Sequence, residues 1–130
     1  DPYLTASSVR LIVAQRLIRI NCPHCKTLTD QSKIEQLSFL NLTSEELKDL
    51  KIYEGKGCPL CNNTGYHGRC GLYEILPVNT DIQNMIISRV SPNEIKEKAI
   101  SSGMATLRSI AMEKLKAGLT TVDEVLGATS

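Results

Sequence analysis

The apolar positions change rhythm several times along the chain. Residues 5–20 form an almost unbroken apolar run, interrupted only by arginines and Gln15, with Thr5, Ser7 and Ser8 available as helix caps, so this stretch predicts one buried helix. On a 3.6-residue wheel Val9, Ile12, Val13 and Ile20 share a side, and Arg16 projects from the middle of it. A guanidinium in that position needs a partner. Residues 30–40 and 43–50 carry helical spacing, the second opened by the capping box of Thr43 and Glu46. Residues 51–54 read as a short strand, the glycine-punctuated run 65–71 as turns and extended chain, and residues 72–76 as a second strand.

After Asn79 the rhythm becomes helical to the end. Thr80 is the expected cap of a helix through Ile82, Met85, Ile86 and Val90. Ser91-Pro92-Asn93-Glu94 combines an N-cap, a proline at the first helical position and a capping-box glutamate, and Gly103 is the stop. A third helix is expected from about Thr106, with Leu107, Ile110, Ala111, Lys114 and Leu115 at helical spacing, ending at Gly118; Thr121 and Glu124 open a short fourth. The pattern as a whole predicts an α+β, mostly helical fold.

Composition narrows what such a fold does. With 42% hydrophobic side chains in 130 residues, the chain supports one compact domain or two small subdomains. Fifteen basic against fourteen acidic residues leave a net charge of +1, which gives no electropositive field for nucleic acid. With no tryptophan and one phenylalanine, base stacking would fall to Tyr3, Tyr53, Tyr66 or Tyr73. No run approaches the roughly 18–20 apolar residues of a membrane span, and no secretory leader is recognisable, so the expectation is a soluble, cytoplasmic protein. The opening Asp1-Pro2-Tyr3 lacks an initiator methionine, as expected of an excised fragment or a processed product.

The chemistry is concentrated in cysteine. Four of the five fall into two matched knuckles, Cys22-Pro23-His24-Cys25 and Cys58-Pro59-Leu60-Cys61, and Cys70 stands alone. An odd count fits poorly with a secreted disulfide framework, whereas paired C-x-x-C turns present four thiolates to one tetrahedral ion. The 32-residue spacer is long, but each doubling of a loop costs only about 0.6 kcal/mol. The spacing therefore predicts a structural Zn²⁺ on Cys22, Cys25, Cys58 and Cys61. A closed four-thiolate shell leaves no position for water or substrate, and its net charge of about −2 should attract Arg19, Lys26, Lys56 or Arg69. A redox dithiol is the weaker alternative, since it normally uses one C-x-x-C in a βαβ setting. His24 and His67 are weaker candidate ligands, and Cys70 is expected to behave as a small buried hydrophobe. No G-x-x-x-x-G-K-[ST] loop and no nucleophile–base set occurs; on residues alone this is a zinc-stapled adaptor, with a zinc-ribbon nucleic-acid module as its rival.

Several runs together resemble a known family. Ala6-Ser7-Ser8 through Ala14-Gln15-Arg16-Leu17, the two knuckles, Gly65-Tyr66-x-Gly68-Arg69-x-Gly71-x-Tyr73-Glu74, and the closing Gly118-Leu119-Thr120-Thr121-x-Asp123-Glu124-Val125 resemble the C-terminal part of the type II secretion and type IV pilus assembly ATPases, in the branch that carries a tetracysteine module. The resemblance covers nearly the whole chain and implies a homo-hexameric cytoplasmic motor with a RecA-like core that uses ATP and Mg²⁺. It implies partners as well: an inner-membrane platform protein and cytoplasmic assembly proteins, with no nucleic acid. The Walker A loop, Walker B and the aspartate and histidine boxes then lie before this region, and the chain alone should not hydrolyse ATP. Residues 1–21 correspond to the terminal helix of the ATPase core, 22–76 to the tetracysteine module and 77–130 to a C-terminal helical subdomain. Arg69 matches a nucleotide-proximal family position, with structural pairing to a glutamate or the zinc thiolates as the alternative; Arg16 is a second candidate for that role, with a structural ion pair as its leading alternative. Cys70 departs from the family, which usually has an apolar residue or threonine there.

Overall fold

The computed structural model describes residues 1–30 and 42–129. Its elements are α1 (Pro2–Ser8), β1 (Leu11–Asn21), β2 (Lys26–Leu28), α2 (Ser44–Asp49), β3 (Tyr53–Gly55), a 3₁₀ turn at Pro59–Cys61, β4 (Tyr66–Pro77), α3 (Thr80–Ile87), α4 (Pro92–Ser101), α5 (Leu107–Lys116) and α6 (Val122–Thr129). Among the described residues the fold is α+β, with six helices and two two-stranded sheets, β1 with β4 and β2 with β3. The helical spacing noted over residues 30–40 lies almost entirely outside the described residues.

The single helix expected over residues 5–20 does not form. Asp1 caps a seven-residue helix by accepting the Tyr3 N–H at 2.9 Å, Pro2 begins it, and the chain leaves it in an extended conformation at Val9. The next eleven residues are strand β1. Ile12, Val13, Ile18 and Ile20 are β-branched, and such side chains lose rotamer freedom in a helix but pack well on a pleated surface. Long-range pairing completes the choice: Val78 donates its N–H to the Arg10 carbonyl at one end, and Cys22 donates to the Gly65 carbonyl at the other, so β1 and β4 run antiparallel. β4 is itself twelve residues long, beginning at Tyr66 rather than at the expected Leu72, because its glycines are accommodated within the strand. Asn79, not Thr80, caps α3, its side chain accepting the Ile82 N–H.

The chain divides into two compact units, Asp1–Gln15 with Tyr73–Leu107, and Arg16–Leu72 with Arg108–Ser130. In the first, α1 packs on α3, and α3 on α4, around Ala6, Val78, Ile82 and Ala99. The Ser91/Glu94 capping box closes reciprocally, Gly103 follows α4 at φ +103°, and Glu74 accepts the Leu107 N–H at the start of α5. In this unit Leu11, Val13, Tyr73 and Ile75 leave the sheet with a large exposed apolar surface.

The second unit holds Ile18, Leu50, Ile52, Leu72, Ala111, Met112, Leu115 and Val125 in its core. Its β1 segment is tied to the turn after α5 by three bonds: Asn21 N–H to the Leu119 carbonyl at 2.8 Å, Asn21 Nδ2 to the Gly118 carbonyl at 3.3 Å, and Thr120 Oγ1 to the Arg19 carbonyl at 2.8 Å. The same strand anchors α6. Glu124 accepts from the Arg19 backbone N–H at 2.7 Å and from its guanidinium Nε and Nη2 at 2.9 and 2.8 Å, while the guanidinium lies 4.1 Å from the Tyr66 ring centroid.

Burial pushes the Glu124 carboxyl up, but the Arg19 guanidinium and N–H outweigh it and hold the group below its usual 4.5. A depressed folded value means that the interaction stabilises the fold above pH 4.5 and is lost as pH falls through that lower value. Glu124→Gln is accordingly expected to cost about 1 kcal/mol near pH 7, a small figure because the Arg19 side chain is half exposed. Urea melts check this: the gap between wild type and variant should narrow at acid pH.

Candidate metal centre

The first knuckle follows directly from β1, whose last residues fix Cys22, and leads into β2; the second follows β3. β2 and β3 pair antiparallel with Lys26 opposite Gly55, Thr27 opposite Glu54 and Leu28 opposite Tyr53, which brings the two knuckles together despite their separation in sequence. Lys56 N–H adds a bond to the Cys25 carbonyl at 3.2 Å.

The four Sγ atoms of Cys22, Cys25, Cys58 and Cys61 lie within 4.8 Å of one another. Cys22 to Cys58 and Cys25 to Cys61 are each 3.8 Å, and Cys58 to Cys61 is 3.7 Å. These distances far exceed a disulfide bond of about 2.05 Å. They match the edge of a tetrahedron whose centre lies about 2.3 Å from each corner, about 3.8 Å, the geometry of zinc tetrathiolate. Cys22 and Cys61 are buried and Cys25 and Cys58 half-buried. The four residues are positioned to hold a metal ion.

Backbone N–H groups supply the surrounding hydrogen bonds. Gly57 donates to Cys25 Sγ, and Cys58 and Gly65 both donate to Cys61 Sγ, each at 3.3 Å. Burial pushes the Cys61 thiol up, but the Gly65 and Cys58 N–H groups and the neighbouring thiols outweigh it and bring the group to about 6. At Cys25 burial dominates, the single Gly57 N–H offsets part of it, and the three other thiols add to it, so that thiol rises to about 11. The N–H groups that converge on Cys61 favour negative charge there, and that charge adds to burial in making a second charge on the touching Cys25 sulfur harder to hold. A dication removes that conflict.

Gly65, which opens the glycine-punctuated run 65–71, has a role at the cluster that its place in that run does not disclose. Its N–H donates to Cys61 while its carbonyl accepts from Cys22 at 2.9 Å, so one residue links both knuckles. It also lies against Gly55: a Cβ added to Gly55 would approach the Gly65 carbonyl carbon to 2.6 Å. Glycine at both positions, flanking a C-x-x-C, was the available signal.

The other candidate residues sit differently. His24 and His67 are exposed and outside the cluster, and Cys70 is a half-buried free thiol on β4 rather than a fully buried hydrophobe. Two of the cations expected around the thiolates have other partners: Arg19 pairs with Glu124, and Lys26 lies 4.8 Å from the Tyr53 ring centroid. Arg16 and Arg69 occupy exposed positions on β1 and β4. Arg16 thus projects from a strand and not from the apolar side of a helix. Among the described residues no helix is long and apolar enough to cross a membrane.

Comparison with known proteins gives a consistent result. The family described as type II/IV secretion system protein matches residues 1–127. The type IV pilus assembly ATPase PilB of Myxococcus xanthus is 35% identical over the full chain, which covers 23% of that protein. PilB of Thermus thermophilus is 37% identical over 99% of the chain and 14% of its own length. The type II secretion system ATPase E of Vibrio cholerae is 34% identical over 99% of the chain and 25% of its own. The chain thus spans a quarter or less of the length of these relatives.

Proposed function

The chain belongs to the type II/IV secretion system protein family, and from that membership we propose that it is the C-terminal portion of an ATPase powering type IV pilus assembly or type II secretion, stapled by a structural zinc ion. The observation that carries this reading is the conjunction of a family match over residues 1–127 with four cysteine sulfurs within 4.8 Å of one another. In the parent protein, residues 1–21 close a RecA-like core, 22–76 form the zinc module and 77–130 a helical subdomain. The exposed apolar surface of Leu11, Val13, Tyr73 and Ile75 supports packing of the first unit against further parts of that parent.

When bound, zinc would supply a rigid four-point cross-link and no reactive position, because all four sites are thiolate. The chain's own residues do the rest: Gly57, Cys58 and Gly65 direct N–H groups at sulfur, and the β2–β3 pair sets the distance between the knuckles. The module so held works within a cytoplasmic homo-hexamer, at contacts with a neighbouring protomer or the inner-membrane platform, and relays motion generated by ATP and Mg²⁺ chemistry elsewhere. Arg69, exposed on β4, and Arg16 on β1 are the residues proposed to lie near nucleotide in that assembly.

The chain alone is expected to show no ATP turnover, having no phosphate loop. In the intact parent ATPase, stripping the metal with a chelator should reduce turnover and hexamer formation by at least about tenfold, with recovery on adding zinc. Unchanged assembly and turnover after complete metal removal would contradict the role given to the module.

A further inference from the structure

We propose that the same cysteine cluster is a reversible peroxide-sensitive switch, in which the four thiolates close into two intramolecular disulfides as the metal leaves, and Cys70 takes no part. The inference rests on the zinc reading above.

Two features carry it. First, each of the four sulfurs already touches another: Cys22 lies 3.8 Å from Cys58, Cys25 3.8 Å from Cys61, and Cys58 3.7 Å from Cys61. Closing such a contact to a bond of about 2.05 Å brings the sulfurs together by under about 2 Å, so a sulfenic acid formed on one cysteine has its resolving thiol beside it. Second, access is graded. Cys25 and Cys58 are half-buried, whereas Cys22 and Cys61 are buried. Each half-buried cysteine therefore has a buried partner in contact, Cys25 with Cys61 and Cys58 with Cys22. An oxidant arrives at the outer sulfur and the inner one resolves it.

The balance is complete with hydrogen peroxide as the oxidant. Each peroxide takes two electrons from one pair of thiolates. The outer sulfur attacks peroxide and becomes a sulfenic acid as the O–O bond breaks; the inner sulfur then displaces hydroxide to form the S–S bond. Two peroxides and four protons thus yield two disulfides, four waters and the released dication. A thiol reductant restores the four thiols and the site.

The test uses the metal-loaded protein as isolated. Metal analysis comes first, followed by peroxide treatment with released zinc read by a chromogenic chelator, free thiols by titration and linkages by mass spectrometry of a non-reduced digest. Free thiols should fall from about five to about one per chain in step with release of one metal ion, both disulfides should lie within the four residues, and reductant plus zinc should reverse the change. Cys70→Ser should behave identically with one thiol fewer. Retention of metal and thiols under peroxide, accumulation of sulfinic acid at single cysteines, or disulfides through Cys70 would each overturn the switch while leaving the zinc reading intact. Absence of metal from the isolated protein would overturn both.

Discussion

Cys61→Ser is expected to abolish metal binding and to leave the second unit largely unfolded at room temperature. Cys61 is buried, contacts both Cys25 and Cys58, and accepts the N–H groups of Cys58 and Gly65. A serine hydroxyl ionises far less readily, and the metal would be left with three thiolates. Structural zinc contributes an apparent binding free energy of about 10–16 kcal/mol, against a total stability of about 5–15 kcal/mol for a domain, so loss of even a third of it is decisive. Circular dichroism and metal content measured on the same preparation check this together. Cys70→Ser, lying outside the cluster, is the matched control and should change stability by under about 0.5 kcal/mol. Equal stability and metal content in the two variants would show that the cluster does not hold the fold.

Gly65→Ala carries the second large effect, and it acts through the backbone. Gly65 has φ +80°, a conformation that costs an L-residue about 1–2 kcal/mol, and its added Cβ would be 3.0 Å from the Gly55 carbonyl carbon, closer still to that oxygen. The neighbour is main chain in a paired strand and has little room to yield, so overpacking adds about 1–3 kcal/mol. The expected total is about 3 kcal/mol, read as a lowered urea midpoint. Because Gly65 bonds to both Cys22 and Cys61, weaker zinc retention against a competing chelator should accompany the loss. Gly68→Ala separates strain from crowding: φ there is +87°, but nothing lies within 4 Å of the added Cβ. It should cost about 1–2 kcal/mol and leave metal affinity unchanged.

What could be read from sequence was local. The capping boxes at Thr43/Glu46 and Ser91/Glu94 formed as their spacing predicts, because both partners sit within one turn. The stops at Gly103 and Gly118 are likewise seen, each at positive φ. The two knuckles were legible because each is a four-residue turn with its own proline, and the structure brings all four sulfurs together.

What was missed is decided by distant chain. The run Leu11–Asn21 fits a buried helix or a strand equally well by periodicity, and only pairing with β4 chooses the strand. β4 was read too short because Gly65, Gly68 and Gly71 resemble punctuation, whereas Gly68 and Gly71 lie inside the strand. The approach of Gly55 to Gly65 and the attachment of Glu124 to Arg19 join residues far apart in sequence, and neither has a local signature. Two of the cations expected near the thiolates have distant partners for a related reason: Arg19 meets Glu124 and Tyr66, Lys26 meets Tyr53, and backbone N–H groups lie beside sulfur.

X-ray absorption at the zinc edge of the isolated protein tests the central claim most directly. Four sulfur neighbours at about 2.3 Å, with one zinc per chain, is the predicted result; no bound zinc, or a shell containing nitrogen or oxygen from outside Cys22, Cys25, Cys58 and Cys61, would contradict it.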